Sequence, residues 1–249
     1  MTPRYREFLD PTIFFVVLAL MWEYGVALFG VKAYLLPPLS DIVVAGWENR
    51  AHLLKHSWVT AEEVIYGFAS AVAGGLLLAI GIFFVPLLRR VLYPFIAALQ
   101  GVPKVALAPL MVVWFGYGIT SKVMMSFLFA FFPIVISTLG GFYSTPANLE
   151  EHFRALRASP WRTFWRLRMP AALPNFIDGC KVAMPLAVIG AIVGEFVGAS
   201  EGLGQLLTFA TSGGRTDLVF ATLIVITALA MLLFWVIQLA GRWVWWRAM

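Results

Sequence analysis

The chain has 249 residues, of which 61% are hydrophobic and 12% charged, with 18 Lys and Arg against 13 Asp and Glu. A soluble domain carries about 25% charge, and a mean hydropathy of +0.86 describes more apolar surface than one water-soluble core of this length buries. Disordered, coiled-coil and nucleic-acid-binding chains are excluded, and the positive excess fits arginines in loops at a membrane surface. One cysteine, Cys180, cannot form an intrachain disulfide, and the 3 scattered histidines have no metal-ligand spacing. The composition is that of an integral membrane protein.

A helix needs about 20 apolar residues to cross the bilayer core. The first such stretch, Thr12–Phe29, lacks a small-residue cleavage site and runs directly into Lys32–Pro38, so it reads as a retained span rather than a cleaved leader. Residues 32–60 pass through Pro37-Pro38 and Ser40-Asp41 into Ile42, Val43, Ala45 and Gly46. That spacing predicts a short external helix on the membrane surface, capped by Ser40. Ala61–Val85, Val91–Phe115 and Lys122–Phe142 are the second, third and fourth spans. The fifth, Ala171–Ala199, carries Asp178, Lys181 and Glu195, and the sixth, Leu218–Ala240, is closed by Trp243, Trp245 and Trp246 as an interfacial belt. Residues 1–249 therefore read as one all-α transmembrane domain with about six crossings.

Six crossings put both termini on one side. That side would hold Arg4, Arg6, Arg89, Arg90, Arg154, Arg157, Arg162, Arg166, Arg168, Arg242 and Arg247, against Lys32, Arg50, Lys55, Lys122 and Arg215 on the other. Because cytoplasmic loops carry the excess of Lys and Arg, both termini are expected in the cytoplasm.

The long basic loop at 145–169 then faces the cytoplasm, and loops between bundle helices are usually shorter. Thr145-Pro146 and Ser159-Pro160 each fit an N-cap followed by proline at the first helical position. Glu150 and Glu151 come early and Arg154 and Arg157 late, which suits a helix dipole. The pattern predicts two short helices, about 146–158 and 160–168, broken at Ala158-Ser159. Phe153, Leu156, Trp161, Phe164 and Trp165 give them more apolar area than a solvated loop tolerates. Such a pair either lies on lipid headgroups or fills a groove in a partner protein.

The stretch Glu151–Pro174, with its Ala158-Ser159-Pro160-Trp161-Arg162 elbow and its Met169-Pro170-Ala171-Ala172-Leu173-Pro174 ending, resembles the cytoplasmic "EAA" motif of permease subunits of bacterial ABC importers. The resemblance runs along nearly the whole chain. Trp22-Glu23, Tyr34-Leu35-Leu36-Pro37, Pro103 to Pro109-Leu110, Trp114-Phe115-Gly116, and Gly194-Glu195 to Gly202-Leu203-Gly204 look like the branch handling nitrate, taurine, alkanesulfonates, bicarbonate and some pyrimidine thiamine precursors. There are departures: His152 and Phe153 stand where the motif has two alanines, and Arg157 where it has glycine. The external loop reads Pro37-Pro38-Leu39-Ser40 where proline-serine-proline-serine is often seen.

The resemblance implies a type I importer permease fold in the bacterial inner membrane. It also implies a second permease copy, two ATP-binding subunits and an extracytoplasmic solute-binding protein as partners. Residues 145–169 would be the coupling helix, with Glu151, Ala158, Ser159, Pro160 and Trp161 at or near the ATPase contact. No Gly-x-x-x-x-Gly-Lys-Ser/Thr loop is present. ATP and Mg would therefore belong to the partner subunit, with no cofactor and no catalysis in this chain.

An ionisable side chain at mid-bilayer costs about 3 kcal/mol unless paired or solvated. Lys181 lies roughly 15 Å along a helix starting at Ala171, with Asp178 three residues earlier on the same face. Two readings stand, an internal ion pair that orients the span and a cation lining an anion path. Lys104 follows Gly101 and Pro103, so the third span is expected to break beside it, and broken helices at membrane depth mainly line cavities. The plainer reading has Lys104 reaching to the headgroups. Glu195, grouped with the two lysines along the path, reads as a gate or packing element near the outer end of its span, where Gly198, Gly202 and Gly204 let the next loop turn tightly. Asp178 and Glu195 are the carboxylates placed well within spans, with Glu23 nearer an end. Trp and Phe are expected mostly to face lipid.

The leading function is passage of a small anionic solute, either nitrate-, sulfonate-, taurine- or bicarbonate-like or a pyrimidine or aromatic carboxylate. A gradient-driven secondary transporter would show inverted repeats and more intramembrane carboxylates. A membrane scaffold recruiting a soluble partner would need no lysine in a broken span.

Overall fold

The computed structural model describes residues 3–245, with side chains from Thr12 to Arg242 apart from Ala97. Arg4, Arg6, Trp243 and Trp245 as side chains, and Trp246 and Arg247 altogether, lie outside the described residues. Among the described residues the chain is helical throughout. Four helices are long and apolar enough to cross a membrane, at Arg50–Phe84, Ile119–Tyr143, Pro160–Phe196 and Thr216–Arg242, with shorter apolar helices at Thr12–Leu28 and Lys104–Phe115.

α1 (Pro3–Leu28) is exposed along most of its described length and leads to α2 (Leu39–Glu48), the expected surface helix. Its cap differs from expectation. Pro38 is the N-cap and Ser40 lies inside the first turn, where its backbone N–H and hydroxyl donate to the Glu23 carboxylate at 3.1 and 2.7 Å. A carboxylate at a helix N-terminus satisfies orphan donors and meets the positive end of the dipole, so α1 caps α2 from a distance. Ile42 and Ala45 are buried, and Gly46 sits over Ala221 of the last helix.

α3 (Arg50–Phe84) has 35 residues, about 52 Å, which exceeds a hydrocarbon core of about 30 Å. Its first turns, ahead of the predicted start at Ala61, form a stalk beyond the apolar segment. The third span is broken as expected. α4 (Pro86–Leu99) stops before Gly101, a 3₁₀ turn covers Lys104–Leu107, and α5 (Ala108–Phe115) carries Pro109 in its first turn. Pro103 has no N–H and disfavours helix at Val102, and with Gly101 beside it the helix stops, although Pro94, Pro133, Pro174 and Pro185 are carried inside α4, α6 and α9.

α6 (Ile119–Tyr143) and α9 (Met169–Phe196) form the centre with α3. They touch through small residues. A methyl group at Gly67 would meet Ser126 Oγ at 2.5 Å, at Gly179 Ser137 Cβ at 2.5 Å, and at Gly190 the Met125 carbonyl at 2.7 Å. α7 (Ala147–Ala155) and α8 (Pro160–Thr163) lie at one end, α10 (Leu203–Ser212) at the other, and α11 (Thr216–Trp245) packs outside α9 and α2.

The loop departs from its predicted form in two ways. Pro146, not Thr145, is the N-cap of α7, and the Thr145 hydroxyl is buried without a hydrogen-bond partner. The second helix is not free-standing, because α8 passes through a π turn at Phe164–Arg168 directly into α9.

Gly190→Val should lower the melting temperature in detergent by the equivalent of about 3 kcal/mol, because the added carbons overlap fixed backbone rather than a movable side chain. Gly81→Ala, whose Cβ would first meet Leu88 at 3.8 Å, should melt within error of the parent. Equal melting of the two variants would refute close backbone packing at Gly190.

Candidate functional site

At the α7 end, the elbow between α7 and α9 is braced on both sides. Ser159 Oγ accepts the Arg162 N–H at 3.3 Å and Pro160 follows as the first helical residue, the expected cap. Phe164 is fully buried, its ring 4.7 Å from that of Phe84 and 5.1 Å from that of Phe142. Arg168 joins three elements. It pairs with Glu150 of α7 at 2.8 Å, donates to the Phe142 carbonyl at 3.0 Å and lies over the Phe83 ring at 5.0 Å. Glu150 and Arg168 were not singled out from the sequence, because their pairing spans eighteen positions and depends on the fold of the elbow.

With Phe164 and Leu167 turned inward, the surface of the unit presents Glu151, Leu156, Ser159, Pro160 and Trp161, with Ala158 half-buried beside them. Arg157 takes φ 50°, the one positive φ among described non-glycine residues. The related motif has glycine there, and the left-handed conformation costs an L-residue about 1–2 kcal/mol. Arg157 therefore keeps the turn that glycine would supply, at some strain.

The three charged positions predicted for a path fall at three depths. Lys104, half-buried in the break of the third span, lies over the rings of Phe129 and Phe132 at 5.5 and 5.1 Å, near the middle of α6, with no carboxylate in ion-pair reach among the described residues. Lys181 is held by Asp178 at 2.8 Å, an i,i+3 pair on one helix face with the Asp178 side chain exposed. It sits nearer the α7 end, since adjacent Gly179 abuts Ser137 and Gly241 approaches it from α11.

Glu195 sits at the opposite end, buried, and is brought together with two of the predicted glycines. Its Oε1 accepts from Thr60 Oγ1 at 2.6 Å and its Oε2 from the Gly204 N–H. Thr60 in turn accepts the Leu203 N–H at 2.9 Å, and the Gly202 N–H donates to His56 Nδ1 at 2.9 Å. Gly202 has φ 114°, and a Cβ there would overlap the Glu195 carboxylate, so no other residue fits. Gly198 is covered by the Tyr117 ring. A rim pair, Lys55 with Glu201 at 2.6 Å, closes the same loop, and that hydrogen bond holds the Glu201 carboxyl below the usual carboxylate range.

The sequence reading missed the rest of this cluster. Glu63, one turn beyond Thr60, lies beside Glu195 with Oε2 buried and unpartnered. Lys122, counted above among the cations of the external side, is buried, and its ammonium donates to the Tyr117 and Gly118 carbonyls at 2.5 and 3.2 Å. The signal was faint: Glu63 is two positions inside a predicted span, and Lys122 opens one. The aromatic expectation holds for Trp47, Trp58, Trp114 and Trp235 and for Phe14, Phe15, Phe29, Phe95, Phe115 and Phe209, which are exposed, whereas Phe68, Phe129, Phe132, Phe142 and Phe164 are buried.

A multi-pass bundle with a broken span, buried polar contacts at one end and a braced elbow at the other is the architecture of a transport subunit rather than of a soluble catalyst. Residues 71–246 match the family described as "Binding-protein-dependent transport system inner membrane component", and the chain belongs to that family. It is 38% identical to the Formylaminopyrimidine transport permease protein ThiX of Halalkalibacterium halodurans over 93% of this chain and 92% of that one. It is 34% identical to the Riboflavin transport system permease protein RibX of Chloroflexus aurantiacus over 88% and 82%. Against the Taurine transport system permease protein TauC of Escherichia coli it is 30% identical over 87% and 82%. The fold resembles an inward-facing structure of the MetNI methionine ABC transporter, with TM-score 0.70 and 19% identity over 79% of this chain and 98% of that one. The chain is therefore an all-helical, multi-pass membrane permease of the type I ABC importer fold.

Glu195→Ala removes the acceptor of the Thr60 hydroxyl and the Gly204 N–H, and should destabilise the chain by about 2–3 kcal/mol, read as a lower melting temperature. Glu195→Gln keeps one acceptor oxygen and should lose less. Wild-type melting of the alanine variant would contradict this network.

Proposed function

We propose that this permease forms half of the transmembrane path of an ATP-driven importer. It would work as a homodimer with two ATP-binding subunits and take solute from an extracytoplasmic binding protein. ATP and Mg would be held by the ATP-binding subunits. Both termini and α7 would face the cytoplasm, by the arginine excess at that end.

One observation carries the mechanism. The elbow is joined to α9 by unbroken helix and to α3 and α6 through Phe164 and Arg168. A force on α7 and Trp161 therefore reaches the tightly packed centre without a flexible joint. The exposed Leu156 and Trp161 would supply the apolar anchors of the ATPase contact, so closure of the ATP-binding subunits would move the bundle.

Lys104 supports an anionic or electron-rich solute: it is a cation beside a helix break at mid-depth, without a carboxylate partner among the described residues and framed by two rings. The relatives named for formylaminopyrimidine, riboflavin and taurine agree with a small polar solute, aromatic or anionic. Lys181, neutralised by Asp178, would orient α9 and tune the path rather than bind solute alone. Glu195, with Gly202 and Gly204, would act as the outer gate's hinge.

Trp161→Ala should weaken co-purification of the ATP-binding subunit by about 30-fold, the effect of about 2 kcal/mol at an interface anchor, and Ser159→Glu should abolish it. Undiminished pull-down of both variants would refute the docking role.

Lys104→Ala should reduce solute uptake in vesicles at least tenfold while the complex still assembles. Wild-type uptake by this variant would remove Lys104 from the path.

A further inference from the structure

A cleft of about 780 Å³ opens between α4 and the facing side of α6, at the end of the bundle that carries α7. Its lining changes character with depth. Arg89 and Arg90 stand at the mouth with Tyr143, and the Arg89 guanidinium lies 4.3 Å from the Tyr143 ring centre. From Tyr143 to Ile136 the wall on α6 descends seven residues, about 10 Å, and is otherwise formed by Gly140 and Leu139. No acidic residue lines the cleft, and among the described residues neither arginine has a carboxylate within ion-pair distance. Gly140 leaves the floor open, since a Cβ built there meets nothing within 4 Å.

Two guanidiniums without an ion-pair partner among the described residues, one of them over a tyrosine, at the level where the spanning helix α6 ends, form a recognition surface for a phosphate. The apolar depth behind them has no use for a free anion but matches an acyl chain. Basic pockets between spanning helices on the arginine-rich side are the sites where anionic headgroups settle.

We propose that this cleft binds an anionic phospholipid, its phosphate on Arg89 and Arg90 and one acyl chain along Pro94, Ile136 and Gly140. Its lining includes neither Lys104, nor the Glu195 cluster, nor any elbow residue, although Ile82 and Pro86 flank Phe83 and Phe84, which pack against Phe164 and Trp161 of the elbow. It requires only that the chain spans a bilayer. A lipid wedged there would hold the first half of the broken span against α6, so the membrane's anionic fraction would set how freely α4 moves.

The test uses the full-length chain in mild detergent, exchanged against phosphatidylglycerol or phosphatidylcholine and read by native mass spectrometry. Phosphatidylglycerol should be retained at least tenfold better. The double variant Arg89→Ala, Arg90→Ala should lose that preference. Gly140→Leu, which fills the floor and leaves both arginines in place, should lose retention as well, with melting temperature confirming that each variant is folded. Equal retention of the two lipids by the parent chain, or full retention by folded Gly140→Leu, overturns the proposal. So does displacement of the lipid by millimolar inorganic phosphate alone, which would make this a simple anion site. Disulfide crosslinking of two copies through Arg90→Cys would show a protein neighbour in the cleft and overturn it equally.

Discussion

In a hydrocarbon solvent apolar side chains gain little by meeting one another, so spanning helices associate where backbones approach closely and where polar groups find partners. α3, α6 and α9 meet both conditions. Gly67, Gly179 and Gly190 let the three backbones come nearer than any side chain would allow, and the Thr60, Glu195 and Gly204 contacts bind α3, α9 and α10 at one end. Every other element hangs on this trio. α4 and α5 are fastened to it only in halves, α1 and α11 pack outside it, and the elbow is continuous with α9.

The two ends of the trio do different work. At the α7 end the ties are aromatic and ionic, through Phe164 and the Glu150–Arg168 pair, and they stiffen a unit whose outward face is basic, with Leu156 and Trp161 exposed among the charges. At the other end the ties are buried hydrogen bonds to the backbone of a glycine turn, which fix the geometry of a loop at the bundle's mouth. Between them, the broken third span leaves Lys104 against two rings.

Much of this was legible from residue order. The apolar runs mark the crossings, Gly101 and Pro103 mark the break, and Ser159-Pro160 marks the cap, because each is a local rule acting over a few positions. The expected pair Asp178–Lys181 formed because i and i+3 share a helix face. Ser40 and Thr145 misled for a related reason. Each has the residue type of a cap, but Glu23, seventeen positions away, supplies the capping oxygens of α2, and Pro146 takes the N-cap position of α7. Glu63 and Lys122 escaped notice because each stands within three positions of a predicted span start, where a charge ordinarily reaches water.

Composition and periodicity by themselves determined that this is a membrane bundle, where its third span breaks, and which loop is long, basic and amphipathic, since these depend on hydrophobic length and on backbone chemistry local in sequence. Only the tertiary structure decided which charges share a neighbourhood: Glu63 with Glu195, Glu150 with Arg168, and Arg89 with Tyr143. Those meetings depend on helix register across the trio, which small residues set by contact distance and which no single helix records in its own sequence.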